Sequence, residues 1–139
     1  MKLLSGKYFE NTGLSIVKLS DKYGEYIGYA QLHEDDRKFA SKFTGCYIAE
    51  RRAEIEALKN KIRRQKQMLK AVKNLKKDIE TNVSIVDPSI IRRINLKIRD
   101  YNNEINYAKE EIDFIKINMQ EYFKLKEKIK RSKEIKKNK

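Results

Sequence analysis

The side chains of this chain best equipped for chemistry are arginines, and most of them come in pairs. Arg51-Arg52 and Arg63-Arg64 are four residues of one charged stretch, Arg92-Arg93 follow the single proline, and Arg99 lies about two helical turns beyond them. A guanidinium is a planar fork that meets phosphate or carboxylate with two parallel hydrogen bonds, so doublets in a lysine-dominated chain point toward recognition of an anion. Arg92-Arg93 also fall where a helix is expected to begin, and exposed backbone N–H groups already favour an anion there. The plainer reading is that each doublet reaches water or a neighbouring glutamate, and for any one doublet both readings stand.

Catalysis has little to work with. There is one histidine and one cysteine. No Gly-rich phosphate loop, no strand-borne serine with a base and no metal-ligand spacing of His or Cys is present. His33 stands beside Glu34-Asp35-Asp36, where aspartates are better explained as a helix cap than as metal ligands. Glu110 and Glu111 sit among lysines as solvated charges, and Cys46 reads as a small residue at a helix start. No catalytic residue, metal or cofactor is expected, and the chain is expected not to be an enzyme.

The net charge is +13, and its position matters more than its size. Residues 1–45 hold 7 Lys/Arg against 6 Asp/Glu and residues 81–121 hold 6 against 7, so both nearly balance. Residues 46–80 hold 11 against 5 and residues 122–139 hold 9 against 2. The excess therefore lies on one stretch and on the C-terminal end, which is the asymmetry of a protein with an anionic partner. No apolar run is long enough to span a membrane, so a cytoplasmic protein is expected.

The elements that must carry these groups follow from periodicity. Leu14, Ile16, Val17 and Leu19, the turn residues Ser20-Asp21-Lys22-Tyr23-Gly24, and the Tyr/Ile-rich run from Glu25 to Leu32 predict a β-hairpin. A further strand around Lys7 to Glu10, closed by Asn11-Thr12-Gly13, completes a three-stranded antiparallel sheet. Glu34-Asp35-Asp36 then start a short helix over Arg37 to Phe43, with Gly45 either breaking or riding it. Tyr8, Tyr23, Tyr26 and Tyr29 cluster on the sheet as core or face residues, with base stacking as the minor alternative.

From Ile48 the spacing changes. Ile55, Leu58, Ile62, Gln65, Leu69, Val72, Lys76 and Ile79 follow at intervals of three and four, the pattern of a coiled-coil seam. Asp87-Pro88 restarts the chain as cap and first residue of a second helix. Its seam runs Ile91, Ile94, Ile98, Tyr101, Ile105, Ala108, Ile112, Ile115, Met119, Tyr122, Lys126 and Ile129. A short link requires the two helices to be antiparallel. The fold class is therefore α+β, mainly α: residues 1–45 form a small antiparallel sheet with a short helix. Residues 46–139 form a long two-helix coiled-coil hairpin, with helices about 46–81 and 88–136, the whole packed as one elongated domain.

Antiparallel counting places Ile48 opposite Tyr122, so the C-terminal end overhangs and the sheet is the expected cover of Tyr122, Phe123, Leu125 and Ile129. Leu96, Tyr107, Phe114 and Ile117 form a second apolar strip beside the seam, for which a second copy of the chain is the expected partner.

The stretch from Gly28 through His33-Glu34-Asp35-Asp36 and Gly45 to Arg51-Arg52-Ala53 resembles a pattern of small phage proteins. In it a hairpin leads through an acidic turn to a helix carrying Gly, Ile-Ala and Arg-Ala. Together with the layout of small sheet and long helical hairpin, it resembles the phage anti-Thoeris nucleotide-sponge family. That resemblance implies a protein that binds an immune nucleotide signal, a cyclic ADP-ribose isomer or a cyclic oligonucleotide, and withholds it without degrading it. It implies a pocket across an oligomer interface, with Arg52 at the start of the first helix, Asn82, Asp87 and Arg92 around the link, and Arg99 and Arg131 on the second helix. The link from Asn82 to Asp87 holds no aromatic ring.

The expected function is sequestration of an anionic nucleotide by a homo-oligomer, with Arg51, Arg52, Asn82, Asp87, Arg92, Arg93, Arg99 and Arg131 as ligand-binding residues. The alternative is a basic nucleic-acid or nucleoprotein binder, such as an anti-CRISPR inhibitor of an RNA-guided nuclease. It would use the charge of the first helix and the tail against a polyanion.

Overall fold

The computed structural model of the chain describes residues 1–31, 42–82 and 86–137. They form strands β1 (Lys2–Phe9), β2 (Leu14–Asp21) and β3 (Gly24–Gln31), then helices α1 (Lys42–Asn82) and α2 (Pro88–Lys137). The expected class is found: a three-stranded antiparallel sheet in the order β1-β2-β3, followed by a helical hairpin. His33, Glu34-Asp35-Asp36 and most of the expected short helix lie outside the described residues. No helix is long and apolar enough to cross a membrane among the described residues.

Both turns use the chemistry expected of them. Gly13 takes a φ of 71°, a conformation open to glycine at little cost, while its N–H donates to Phe9 O at 2.8 Å. At the second turn Asp21 accepts from the Tyr23 N–H at 2.8 Å and from the Tyr26 hydroxyl at 3.2 Å. The first strand is longer than expected, starting at Lys2, and it pairs with β2 across a register shift between Leu3 and Ser5.

The chain divides into two compact units, Met1–Ala57 with Ile112–Lys139, and Leu58–Glu111. In the first unit the sheet lies on the N-terminal part of α1. Alternation buries Ser15, Val17 and Leu19 of β2 and their register partners Ala30, Gly28 and Tyr26 of β3. The residues that meet them are small: Ala49 and Ala53 are fully buried on α1. A side-chain carbon at Gly28 would stand 2.5 Å from the Ala53 amide nitrogen and would run into the Ala49 carbonyl oxygen. One at Gly45 would enter the Ser15 hydroxyl. Sheet and helix thus touch backbone to backbone, which explains why Gly45 rides inside α1, described from Lys42, four residues before the expected start at 46.

Two expectations about this unit change. The four tyrosines do not cluster: Tyr26 is buried and Tyr8 half-buried on the helix side, Tyr29 is exposed on the opposite face, and Tyr23 is exposed in the turn. The sheet does not cover the C-terminal overhang either, since Phe123, Leu125 and Ile129 are all more than 40% exposed. Tyr122 does meet α1, with its hydroxyl on Thr44 and its ring against Tyr47. The extra turn at the start of α1 supplies Thr44.

In the second unit the seam is the one expected. Leu58, Ile62, Gln65, Leu69, Val72, Lys76 and Ile79 are each half-buried, while Ile94, Ile105 and Ala108 are buried on α2. Lys61 Nζ reaches Glu104 at 3.2 Å beside it. Gln65 interrupts the apolar row, and its side-chain oxygen is buried without a hydrogen-bond partner among the described residues. Leu96 and Tyr107 are exposed, as expected of a strip beside the seam. At the start of α2, Asp87 accepts from the Ser89 N–H at 2.9 Å, and the Ile90 N–H donates to the Asp87 carbonyl at 3.0 Å. Hydrogen bonding from Ser89 holds the Asp87 carboxyl below its ordinary pKa.

Three measurements check these assignments. Gly28→Ala should cost about 1–3 kcal/mol in urea denaturation, from overpacking against helix backbone, whereas Gly6→Ala, with 3.8 Å to its nearest atom, should be close to neutral. Gln65→Leu should raise stability by about 1–2 kcal/mol, because it removes an acceptor buried without a partner. Asp87→Ala should lower the melting temperature at neutral pH. A carboxyl held below its ordinary 3.8 contributes stability above that value, so the gap from the native chain should close as pH falls through the Asp87 titration.

Candidate functional site

The residues expected to bind a nucleotide fall into both units: Arg51, Arg52 and Arg131 in the first, and Asn82, Asp87, Arg92, Arg93 and Arg99 in the second. Four of the eight have partners within the chain. Arg51 Nη2 lies 3.1 Å from Glu54 and 3.3 Å from Glu50. Arg52 Nη1 donates to the Tyr29 carbonyl at 2.8 Å and so ties α1 to β3. Arg131 pairs with Glu127 at 2.9 Å, one turn away, and Asp87 is the cap of α2. Asn82, Arg92, Arg93 and Arg99 are exposed. Burial raises the Glu54 pKa, Arg51 opposes that shift, and the charge of Glu50 adds to it.

A different set of cations is brought together by helix geometry alone. Lys59, Arg63, Lys66, Lys70, Lys73 and Lys77 follow one another at intervals of four, three, four, three and four, and all six are exposed. That spacing aligns them on one side of α1 over about 27 Å, at 1.5 Å per residue. At about 100° per residue the line lies roughly a quarter turn from the seam, with Met68 and Leu75 on the far side of the helix. The whole line belongs to the second unit.

From Arg63 to Lys77 its charge is not neutralised along the helix among the described residues. From Ala57 to Lys77 the sequence has no Asp or Glu. The two nearby lysines off the line do have carboxylate partners, Lys61 with Glu104 and Lys76 with Glu80 at 4.0 Å. Arg63, Lys66, Lys70, Lys73 and Lys77 have none among the described residues. Neighbouring like charges three and four apart on a helix repel, so the line disfavours the helix that presents it. Summing the charge of the segment hides this feature; applying to cations the three-four spacing used for apolar residues reveals it.

A second group joins α1 to α2 in the first unit. The Phe43 ring stacks on Tyr47 at 6.4 Å between centroids, and Tyr47 lies 4.6 Å from Tyr122. The Arg51 guanidinium stands 5.2 Å over the Tyr47 ring and the Lys126 ammonium 5.5 Å over that of Tyr122. The Tyr122 hydroxyl donates to Thr44 Oγ1 at 3.0 Å. Tyr47 and Tyr122 serve packing, whereas Phe43 is 70% exposed. The hollow at the β1–β2 turn, between Tyr8, Phe9, Glu10, Thr12, Leu14 and Ile16, holds a carboxylate and no cation, so it does not suit an anion. No group of three or more His, Cys, Asp or Glu is placed to hold a metal among the described residues.

Comparison with known proteins leaves this geometry to speak for itself, since the chain matches no protein family, no curated protein and no solved structure.

Proposed function

We propose that this protein is a non-catalytic binder of nucleic acid or of a nucleoprotein, and that it works through the cation line of α1. The observation that carries the reading is the line itself: six exposed cations in register on a stretch of helix without a carboxylate. A cation beside a carboxylate of the chain offers a polyanion less, because the carboxylate repels the incoming phosphate. The cations from Arg63 to Lys77 give up solvent, and the phosphates they neutralise release condensed counterions, the main source of polyanion affinity. The net charge of +13 adds long-range attraction of the same sign.

The nucleotide-sequestering reading keeps support from the Phe43–Tyr47–Tyr122 row, where an exposed ring able to stack a base neighbours Arg51 and Lys126. It ranks second because Arg51, Arg52, Asp87 and Arg131 already have partners in the chain.

The two readings separate by salt and by ligand size. Nucleic-acid binding through the line should weaken about a thousandfold between 50 and 200 mM salt if six phosphates are engaged. Absence of salt-sensitive binding to any nucleic acid would remove the first reading. Calorimetric binding of a cyclic nucleotide, recovered unchanged after heat denaturation and lost in Phe43→Ala, would establish the second.

A further inference from the structure

We infer that the cation line of α1 takes the phosphate backbone of a double-stranded nucleic acid from outside, without reading bases. This rests on the polyanion-binding reading above and names the class of polyanion.

The cations are evenly spaced and carried on a helix that the seam with α2 holds in place. Successive members rise about 5 Å along the axis, the mean of three-residue and four-residue steps. A fixed array of that kind matches a fixed array of phosphates, and a duplex supplies one because its backbone geometry is already set. A flexible single strand would have to be ordered along the helix first.

Single-strand binding also needs rings on which bases stack, in addition to a positive groove. Between Ile48 and Asp100 the sequence contains no Phe, Tyr, Trp or His, so α1 itself carries no such ring along the line. The line carries only Lys and Arg, with Lys in five of its six places. Asn and Gln, whose amides read adenine edges, are absent from it. Lysine meets phosphate as a point charge, and phosphate contacts carry no sequence information, so a line engaged with the backbone should bind without regard to sequence.

An anionic membrane surface fits less well. An interfacial helix sets its apolar face into lipid with the cations flanking it. Here the exposed apolar residues Met68 and Leu75 lie roughly opposite the line, so cations and apolar groups cannot meet one surface together. The self-repulsion of the line supplies a driving force of its own, since phosphates between neighbouring cations relieve it.

The test uses the full chain and fluorescence anisotropy. The probes are DNA and RNA duplexes of about 30 base pairs in two unrelated sequences, the corresponding single strands, and vesicles containing phosphatidylserine. Either duplex should bind at least about tenfold tighter than its single strands, and the two sequences should agree within about twofold. The slope of log K against log salt should approach about −5 for six phosphate contacts. The combined variant Lys66→Gln, Lys70→Gln, Lys73→Gln should flatten that slope by roughly 2.7, at about 0.9 per contact. Lys2→Gln, Lys22→Gln, Lys109→Gln, which removes the same charge elsewhere, should leave it nearly unchanged. Circular dichroism of both variants establishes that the helices persist. Single strands bound as tightly as duplexes would overturn this inference while leaving polyanion binding through the line in place, whereas a slope insensitive to the line would overturn both. Binding to vesicles alone, or to no polyanion, would overturn both.

Discussion

The apolar seam between α1 and α2 is the constraint on which the rest depends. Helix propensity alone would not hold the stretch around Lys66, where like charges sit three and four residues apart for more than four turns. Burial of Leu58, Ile62, Leu69, Val72 and Ile79 against the apolar stripe of α2 offsets that repulsion. The chain therefore keeps a self-repelling surface in ordered form, with the stabilising groups on one side of the helix and the charged ones a quarter turn away. Asp87 contributes at the other end of the link, where its cap sets the start of α2.

The contact between sheet and helix works by different means. Here the stabilisation comes from closeness: Gly28 and Gly45 let strand and helix backbones approach, while Ala49 and Ala53 leave no side chain in the way. A sheet of three short strands has little apolar surface to bury, so tight contact over a small area does much of the holding. Arg52 belongs to this junction, because its bond to the Tyr29 carbonyl ties α1 to β3. An arginine that looks available for an anion in sequence can thus be a structural clamp in the fold. Arg51, set between Glu50 and Glu54, shows the same diversion.

These engagements divide the cations by use. Arg51, Arg52, Lys61, Lys76 and Arg131 have carboxylates or carbonyls of this chain as partners. Those of the α1 line from Arg63 to Lys77 have solvent. The division gives the proposed function its physical basis, since a partner's phosphates gain most where no internal acceptor competes. It also explains why the aromatic row of Phe43, Tyr47 and Tyr122, although flanked by cations, is the weaker candidate: two of its three rings are committed to packing the helices.

The seam was legible in the sequence residue by residue, because a three-four spacing of apolar groups has few ways to be buried except against another helix. The strand order and both turns were legible for a similar reason, with Asn11-Thr12-Gly13 and Asp21 through Gly24 supplying local chemistry that does not depend on distant contacts. The line of cations was written there as well, at the same period as the seam. Only tertiary structure decided which arginines are consumed inside the chain, that Gly45 continues α1, and that Phe123, Leu125 and Ile129 stay uncovered. Spacing along the chain determines which residues share a face. What that face meets depends on how closely two backbones approach, and at Gly28 and Gly45 the approach is set by atoms that lie far apart in sequence.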